Sequence, residues 1–350
     1  MWGQWVGEIK GDFNGFATLN IDKDCKNKGK LLFSSNKISF YAEAVITLNR
    51  LKFEIKISNI ETYPYNASSF IYEEFTLIGR LDQANDLKGV MDLGDKKRDF
   101  NLMKLDTISE EIPLTTLTPW RNFKQDILDL KRKNPGLVFR GQENSKFKLE
   151  TTFHRQNRRD LIRYGSVDII ELQRHLTASL NRSFNLQFSN DYSDLLYIAQ
   201  HHGYPTPLLD WTESPFVAAF FAFHKLAKDS FKGSIRIYIF DKENWIKDIG
   251  TKIYTIDEPN PCVSPLVITS MNNARALPQQ SLVTFSNIGN IESFIKHKEK
   301  ENNKTYLTVY DISYSDRNDA MKDLEIMGIT AASLFSGLDG ICSALKEKQF

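Results

Sequence analysis

Cysteine is scarce in this chain and scattered: Cys25, Cys262 and Cys342 are all it has. An odd, widely spaced set with no CxxC pair argues against a disulfide framework and a zinc site, and fits a reducing cytoplasm. An excess of one charge is also missing. The 45 Lys and Arg against 44 Asp and Glu leave a net charge of +1. That balance argues against a protein whose main work is coating nucleic acid, while leaving room for a local basic patch. Long apolar runs are lacking too. The strongest, Pro215 to Phe223, is far too short to span a bilayer, so no membrane partner is expected. Met1-Trp2-Gly3-Gln4-Trp5 has neither the basic start nor the apolar core of a secretory signal. There is no GxSxG, HExxH, P-loop or GxGxxG, and no internal repeat. No cysteine lies at Arg140, in the run from His201 to Pro215 or at Gln279-Gln280, which disfavours a covalent thiol mechanism there, and no metal site is expected.

What is present divides into two regions with different periods. At 350 residues the chain has room for two domains. From Trp2 to about Leu105 apolar residues alternate. Leu51, Phe53, Ile55 and Ile57 point one way, as do Ile38, Phe40, Ala42, Ala44 and Ile46, and Ala17, Leu19 and Ile21. Turn signals separate these runs: Asp12-Phe13-Asn14-Gly15, Asn27-Lys28-Gly29, Leu48-Asn49-Arg50 and Asp92-Leu93-Gly94-Asp95. This is the mark of half-buried antiparallel strands. Seven or eight strands without a convincing helix predict an all-β antiparallel sandwich or barrel over residues 1–106. Such a module is either a sensor of a ligand or partner, or a structural or oligomerising unit.

Residues 107–119 lack a period and read as a linker. Over 120–350 the period changes. Trp120, Phe123, Ile127 and Leu130 follow helical spacing, and Asn134-Pro135-Gly136 ends that helix. Leu137-Val138-Phe139 predicts a short strand with Arg140 at its end. Stripes at Ile169, Leu172, Leu176 and Leu180, and at Leu195, Leu196, Ile198 and Ala199, predict two more helices, the second closing at Gly203. Ser214 before Pro215 joins a hydroxyl N-cap to a proline at the first helical position. The helix behind it is apolar on every face and reads as core. Gly233 to Phe240 and Thr305 to Ile312 read as strands. Ser315 caps a helix ending at Gly328, with Ile329 closing a Schellman contact. His297-Lys298-Glu299-Lys300 reads as a solvated helix end. Strands and helices mixed without βαβ alternation predict an α+β fold.

Several polar residues could carry chemistry. Arg140 offers a planar fork to a phosphate or carboxylate, and Gly141 lets a ligand approach the main chain. The bland alternative for Arg140 is a structural salt bridge. His201 and His202 fall in a last helical turn, where the macrodipole favours an imidazolium. Adjacent helical residues point about 100° apart, so at most one of the two faces a cleft. Asp210-Trp211-Thr212 stands between the apolar pair Leu208-Leu209 and the capped helix. There an indole can stack on a base and a helix start attracts anions, or Asp210 and Thr212 merely hold the helix start. Gln279-Gln280 places two amides before another apolar strand, where they can hold a ribose hydroxyl. The basic run Arg155-Gln156-Asn157-Arg158-Arg159, with Arg163, reads as a solvated helix start or a nucleic-acid contact.

Phe139-Arg140-Gly141-Gln142, Gln200-His201-His202-Gly203-Tyr204-Pro205-Thr206 and Leu208-Leu209-Asp210-Trp211-Thr212 resemble the signature of the FRG domain, a bacterial family named for its Phe-Arg-Gly. The likeness resumes at Gln280 and from Gly328-Ile329 to Leu338-Asp339-Gly340, so it spans residues 139–343. It departs at Pro207, where relatives often carry arginine, at Ser281 and Val283, where they carry glycine and phenylalanine, and at Ser336, where they carry proline. The missing arginine weakens a second phosphate clamp. The order of elements is similar, at the level of fold, to that of ADP-ribosyltransferases. In those enzymes a late strand brings a catalytic glutamate, and the matching place here is Gln279-Gln280.

The resemblance implies an ADP-ribosyltransferase-like C-terminal domain with NAD as substrate or ligand. It implies a nucleotide-binding set of Arg140, Gly141, Gln142, His201, Thr206, Trp211 and Thr212, and a catalytic set of Arg140, His202, Asp210 and Gln280. Gln280 cannot supply the negative charge that steadies an oxocarbenium-like centre, and Asp210 or Glu213 would have to. The activity implied is ADP-ribosyl transfer to a macromolecular acceptor, or NAD cleavage, in bacterial anti-phage defence or toxin-like conflict. The rival reading is a non-catalytic nucleotide- or protein-binding module with the β domain as sensor.

Overall fold

The computed structural model describes residues 1–10, 14–25, 27–35, 38–63, 72–105, 112–187, 189–226, 232–250, 260–266, 276–335 and 337–349. Of the two forms expected for the N-terminal region, the barrel is the one formed. Its strands are β1 Gly3–Ile9, β2 Gly15–Ile21, β3 Lys28–Ser35, β4 Ser39–Asn49, β5 Lys52–Tyr63, β6 Phe75–Leu81, β7 Leu87–Asp92 and β8 Lys97–Lys104. Each pairs antiparallel with the next, and β8 returns to β1 with Phe100 opposite Ile9.

The inward positions are those set by the alternation. Ala17, Leu19 and Ile21, then Ile38, Phe40, Ala42, Ala44 and Ile46, and Phe53, Ile55 and Ile57 are buried, and Trp5, Leu77 and Leu102 join them in the centre. Each such Leu, Ile or Phe contributes roughly 1.5–3 kcal/mol on burial. Leu51 is an exception at 62% exposure. It sits in the β4–β5 turn, where Arg50 takes φ 56° and breaks the alternation. The turn signal at Asp12-Phe13 lies outside the described residues, and so does the expected domain boundary at 106.

The second domain holds a six-stranded antiparallel sheet in the order β12–β13–β10–β9–β11–β14. These strands are β9 Leu137–Gln142, β10 Leu208–Thr212, β11 Ser234–Asp241, β12 Val263–Leu266, β13 Ser281–Ser286 and β14 Leu307–Ser313. Helices surround it: α1 Trp120–Lys133, α2 Thr152–Arg155, α3 Leu161–Arg163, α4 Ile169–Leu180, α5 Ser189–His201 and α6 Pro215–Phe223. They continue as α7 Lys242–Ile249, α8 Ala276–Gln279, α9 Ile291–Asn302, α10 Arg317–Ile326, α11 Ala331–Leu334 and α12 Leu338–Gln349. The architecture is α+β, as expected. Among the described residues no helix is long and apolar enough to cross a membrane.

Local signals account for several element ends. The Ser214 hydroxyl accepts from Val217 N at 3.3 Å and Pro215 opens α6, whose phenylalanines pack with Phe123, Phe139 and Leu324. After α10, Gly328 takes φ 76°. Ile329 N then donates to Leu324 O at 2.8 Å and Gly328 N to Glu325 O at 2.9 Å, the two bonds of a Schellman motif. The start of that segment differs from expectation. Ser313, rather than Ser315, supplies the capping hydroxyl, which accepts from Ser315 N at 3.2 Å and heads a 3-10 turn leading into α10. The charged run 297–300 lies in the last turns of α9, with His297 and Lys300 exposed as expected and Glu299 the exception. Its Glu299 turns inward to accept from Tyr306 N at 2.6 Å and Leu307 N at 2.7 Å.

The linker is strapped down from Ile112 onward. Arg236 and Asp311, 3% and 0% exposed, form a two-pronged pair at 2.8 and 2.9 Å. Arg236 also donates to Ile112 O at 2.8 Å and Pro113 O at 3.1 Å, while Asp311 accepts from Thr115 N at 2.8 Å and the Thr115 hydroxyl at 2.9 Å.

The two domains meet along β1 and the turn after β2. Buried Gln4 donates to Asn287 O at 2.7 Å and accepts from Gly289 N at 3.2 Å. Buried Asp22 accepts from Arg158 Nε at 2.7 Å, from Asp160 N at 2.9 Å and from Arg159 N. A buried carboxylate is tolerated only with such partners. Arg158 reaches on to Asp168 at 2.8 Å, and Arg159 is buried. The core of the basic run is therefore taken up in the seam between the domains. It is neither a solvated helix start nor a free surface for nucleic acid.

Candidate ligand-binding cleft

β9 runs through Arg140 to Gln142, so Arg140 lies within the strand and not at its end. Side chains alternate along it: Leu137, Phe139 and Gly141 face α6, while Val138, Arg140 and Gln142 face the other way. β10 is likewise longer than its apolar pair and includes Asp210, Trp211 and Thr212. Full pairing with β13, from Leu208–Phe285 to Thr212–Ser281, draws those polar residues into the strand. Between β9 and β10, in contrast, the ladder is a single bridge, Thr212 to Phe139. Beyond it the strands part, and a cleft of about 700 Å³ opens at the split.

Arg140 lies at this split. Its Nη1 donates to the Asp210 carbonyl at 2.6 Å, which takes up one backbone acceptor released by the parting strands. Its Nε is buried without a partner. Among the described residues no carboxylate forms an ion pair with it, so the salt-bridge alternative is not what is seen. Burial pushes its pKa below the ordinary value, against the nearby charge of Asp210. Gln142, two residues on and on the same strand face, donates to Lys148 O at 3.3 Å and leaves Oε1 buried and unpaired. An unmatched donor and an unmatched acceptor thus stand side by side. Each costs about 1–3 kcal/mol while unsatisfied.

Gly141 has a different cause from the one expected. A Cβ there would stand 1.9 Å from Ala218 O of α6. The glycine lets helix and strand pack closely, and it also lines the cleft.

Asp210 faces the cleft and is open to its solvent. Its carboxylate accepts from the Gln200 amide, whose oxygen in turn accepts from the Thr206 hydroxyl. The surrounding protein pushes the Asp210 pKa up, with Arg140 and then Gln200 opposing the rise. Thr206 itself is buried and touches Gln200, not the cleft. Trp211 is 3% exposed, its indole donates to the Thr284 hydroxyl at 3.0 Å and its ring packs beside Phe240. It is therefore no open platform for a base. The Thr212 hydroxyl donates to Gln279 O at 2.7 Å and accepts from Ser214 N at 3.1 Å, so it ties β10 to α8 and α6.

His201 ends α5 and lines the cleft, whereas His202 is exposed outside it. Of the two amides, Gln279 lines the cleft, with its side chain donating to Leu334 O at 2.9 Å. Gln280 takes φ 47° and is exposed away from the cleft. Glu213 also lies off the cleft, 3.8 Å from Lys242. Asp22, Asp24 and Cys25 bring ligand-type atoms within 4.8 Å of one another, but Asp22 is already held by Arg158 and two backbone N–H groups.

Other lining residues carry no motif. Lys146, Phe147 and Lys148 form one wall, and Phe147 is 49% exposed. An exposed aromatic between two lysines is a signal that could have marked this wall from sequence. Arg155 reaches the cleft from α2, Lys225 from beyond α6, and Tyr197 from α5. Arg155 brings a second guanidinium to the cleft that Arg140 lines.

Residues 135–230 match the family model of the FRG domain. Over these residues the chain is similar to the FRG domain. No curated protein and no solved structure gives a match. The matched span runs from β9 to just past α6 and holds Arg140, Gln142, Gln200 and Asp210 together. The later likeness at Gln280 and at 328–340 lies beyond it, and Ser336 lies outside the described residues.

Proposed function

We propose that this FRG-like domain binds NAD in the cleft between β9 and β10 and breaks its nicotinamide–ribose bond, passing ADP-ribose to water or to a macromolecular acceptor. The observation that carries this reading is the pair on β9: a buried guanidinium with a spare donor and, two residues on, an amide oxygen with nothing to accept. A phosphate beside a ribose hydroxyl satisfies both at once. Lys146, Lys148, Arg155 and Lys225 surround the same space and favour a multiply charged anion. Phe147, rather than Trp211, is the ring open to a base.

Asp210 is the cleft carboxylate for the chemistry. As the C1′–N bond lengthens, its electron pair leaves with nicotinamide and the ribose gains positive charge, which the Asp210 carboxylate steadies. Water or the acceptor nucleophile then forms the new bond and loses its proton to solvent. The order β9, then β10 running into α6, then β11, fits the ADP-ribosyltransferase-like architecture that the resemblance implies. NAD consumption in the cytoplasm would suit a defence or toxin-like setting. The barrel, packed solid inside, would meet a partner through its outer surface.

The test is direct. The purified full chain is incubated with NAD, with and without cell lysate, and nicotinamide and ADP-ribose are separated chromatographically. Release that is lost in Asp210→Asn is expected. No release in either condition, together with no heat of binding for NAD or ADP-ribose, overturns the proposal.

A further inference from the structure

We propose that Asp22, a barrel residue, is a positioning residue for the cleft carboxylate Asp210, acting across the domain seam through hydrogen bonds joined by short covalent stretches of the chain. The proposal takes the cleft as the ligand site argued above.

The run begins where Asp22 gathers Arg158 Nε, Arg159 N and Asp160 N, with Lys23 N donating to Asn157 O at 3.2 Å alongside. The Arg159 side chain, held there, donates from Nη1 to His154 O at 2.8 Å. His154 lies in α2, and its ring nitrogen Nδ1 is 2.7 Å from the Thr151 hydroxyl that caps that helix. Next to the cap, the Thr152 hydroxyl donates to Thr206 O at 3.1 Å and accepts from Thr206 N at 2.9 Å. The Thr206 hydroxyl donates to the Gln200 oxygen, which leaves the Gln200 nitrogen to face Asp210.

Each link fixes the next for a physical reason. α2 has four residues and cannot hold itself as an isolated helix. It is tied at its cap, along its side to Thr206, and beyond its end to the barrel. The Gln200 amide has two orientations, and a hydroxyl donating to its oxygen selects one. Arg155, the last residue of α2, lines the cleft on the same short segment. The barrel's grip on 158–160 thereby bears, through α2 and Thr206, on the orientation of the amide on Asp210.

The test reads Asp210 itself and uses no ligand. The carboxyl carbon of Asp210 in the ¹³C-labelled full chain is titrated by NMR and assigned with Asp210→Asn. The donated hydrogen bond from Gln200 favours the ionised form, so loosening it raises the midpoint. Gln200→Ala is expected to raise it by about 1 pH unit. Asp22→Asn is expected to raise it in the same direction, and the double variant no further than Gln200→Ala alone. None of these variants removes a charged group that lines the cleft beside Asp210: Arg140 on β9, Glu150 and Arg155 about α2, His201 on α5 and Lys225 past α6. A merely structural role for Asp22 would shift barrel and seam resonances but leave this midpoint and its non-additivity unchanged. If Asp22→Asn does not fold, Arg159→Lys, which loses the guanidinium Nη1 that joins His154 O and Arg158 O, carries the same expectation. A midpoint that ignores the seam variant, or shifts that simply add, overturns the proposal. Failure of ADP-ribose to bind would leave this result standing, and an unmoved midpoint would leave the cleft reading standing.

Discussion

Arg140→Ala is expected to weaken ADP-ribose binding by about 100-fold while leaving the thermal melt close to that of the parent. The first half follows from truncating a buried charge that grips an anion, an effect of roughly 2–5 kcal/mol, where each 1.4 kcal/mol is about tenfold. The second half follows from what Arg140 does without a ligand. It makes one bond to a backbone carbonyl and leaves Nε buried and unmatched, so the fold loses little with it. Arg140→Lys keeps the charge but not the planar fork, and should recover only part of the affinity. Calorimetry with ADP-ribose and a melting curve on the same samples check both halves. Unchanged affinity, or a melt that collapses with the affinity, contradicts this account of Arg140.

The largest effect on stability is expected at Asp311. Asp311→Ala removes a fully buried carboxylate and leaves the Arg236 guanidinium beside the carbonyls of Ile112 and Pro113 and the Tyr238 ring, with no carboxylate to pair with. Breaking a buried pair from one side costs about 3–5 kcal/mol. It also frees the Thr115 N–H and hydroxyl, so residues 112–118 keep on β14 the main-chain bond from Thr118 N to the carbonyl of residue 311 but lose the two side-chain bonds at Thr115. Urea unfolding should show a midpoint well below that of the parent. The double variant Arg236→Met with Asp311→Leu should recover much of the loss, because no buried charge is then left unpaired. A single variant as stable as the parent would mean that the strap contributes nothing.

Much of the barrel was legible because its information is local. Phe53, Ile55 and Ile57 read inward from their spacing alone, whereas the choice of a closed barrel over a sandwich rests on the pairing of β8 with β1, which spacing does not carry. Ser214-Pro215 and Gly328-Ile329 were legible for the same reason, since a cap is written within a few residues of the helix it ends. What was not legible depends on distant partners. Trp211 looked like a free ring because nothing near it in sequence shows that β10 pairs with β13 through Thr212. Arg159 looked solvated because the carboxylate that orders its backbone is Asp22, 137 positions away. The choice of Gln279 over Gln280 turns on one backbone angle, the φ of 47° that swings Gln280 outward. Of the residues expected in the cleft, Arg140, Gly141, Gln142, His201 and Asp210 do meet there. Trp211 and Thr212 border it from buried, paired positions, while Thr206, His202 and Gln280 lie outside it.

The most direct test of the cleft is a crystal structure of the full chain with ADP-ribose bound. The account predicts a phosphate oxygen within hydrogen-bonding distance of Arg140 Nε, a ribose hydroxyl on Gln142 Oε1, and the reacting end of the sugar beside Asp210. A ligand seated elsewhere with Arg140 Nε still unmatched would contradict it.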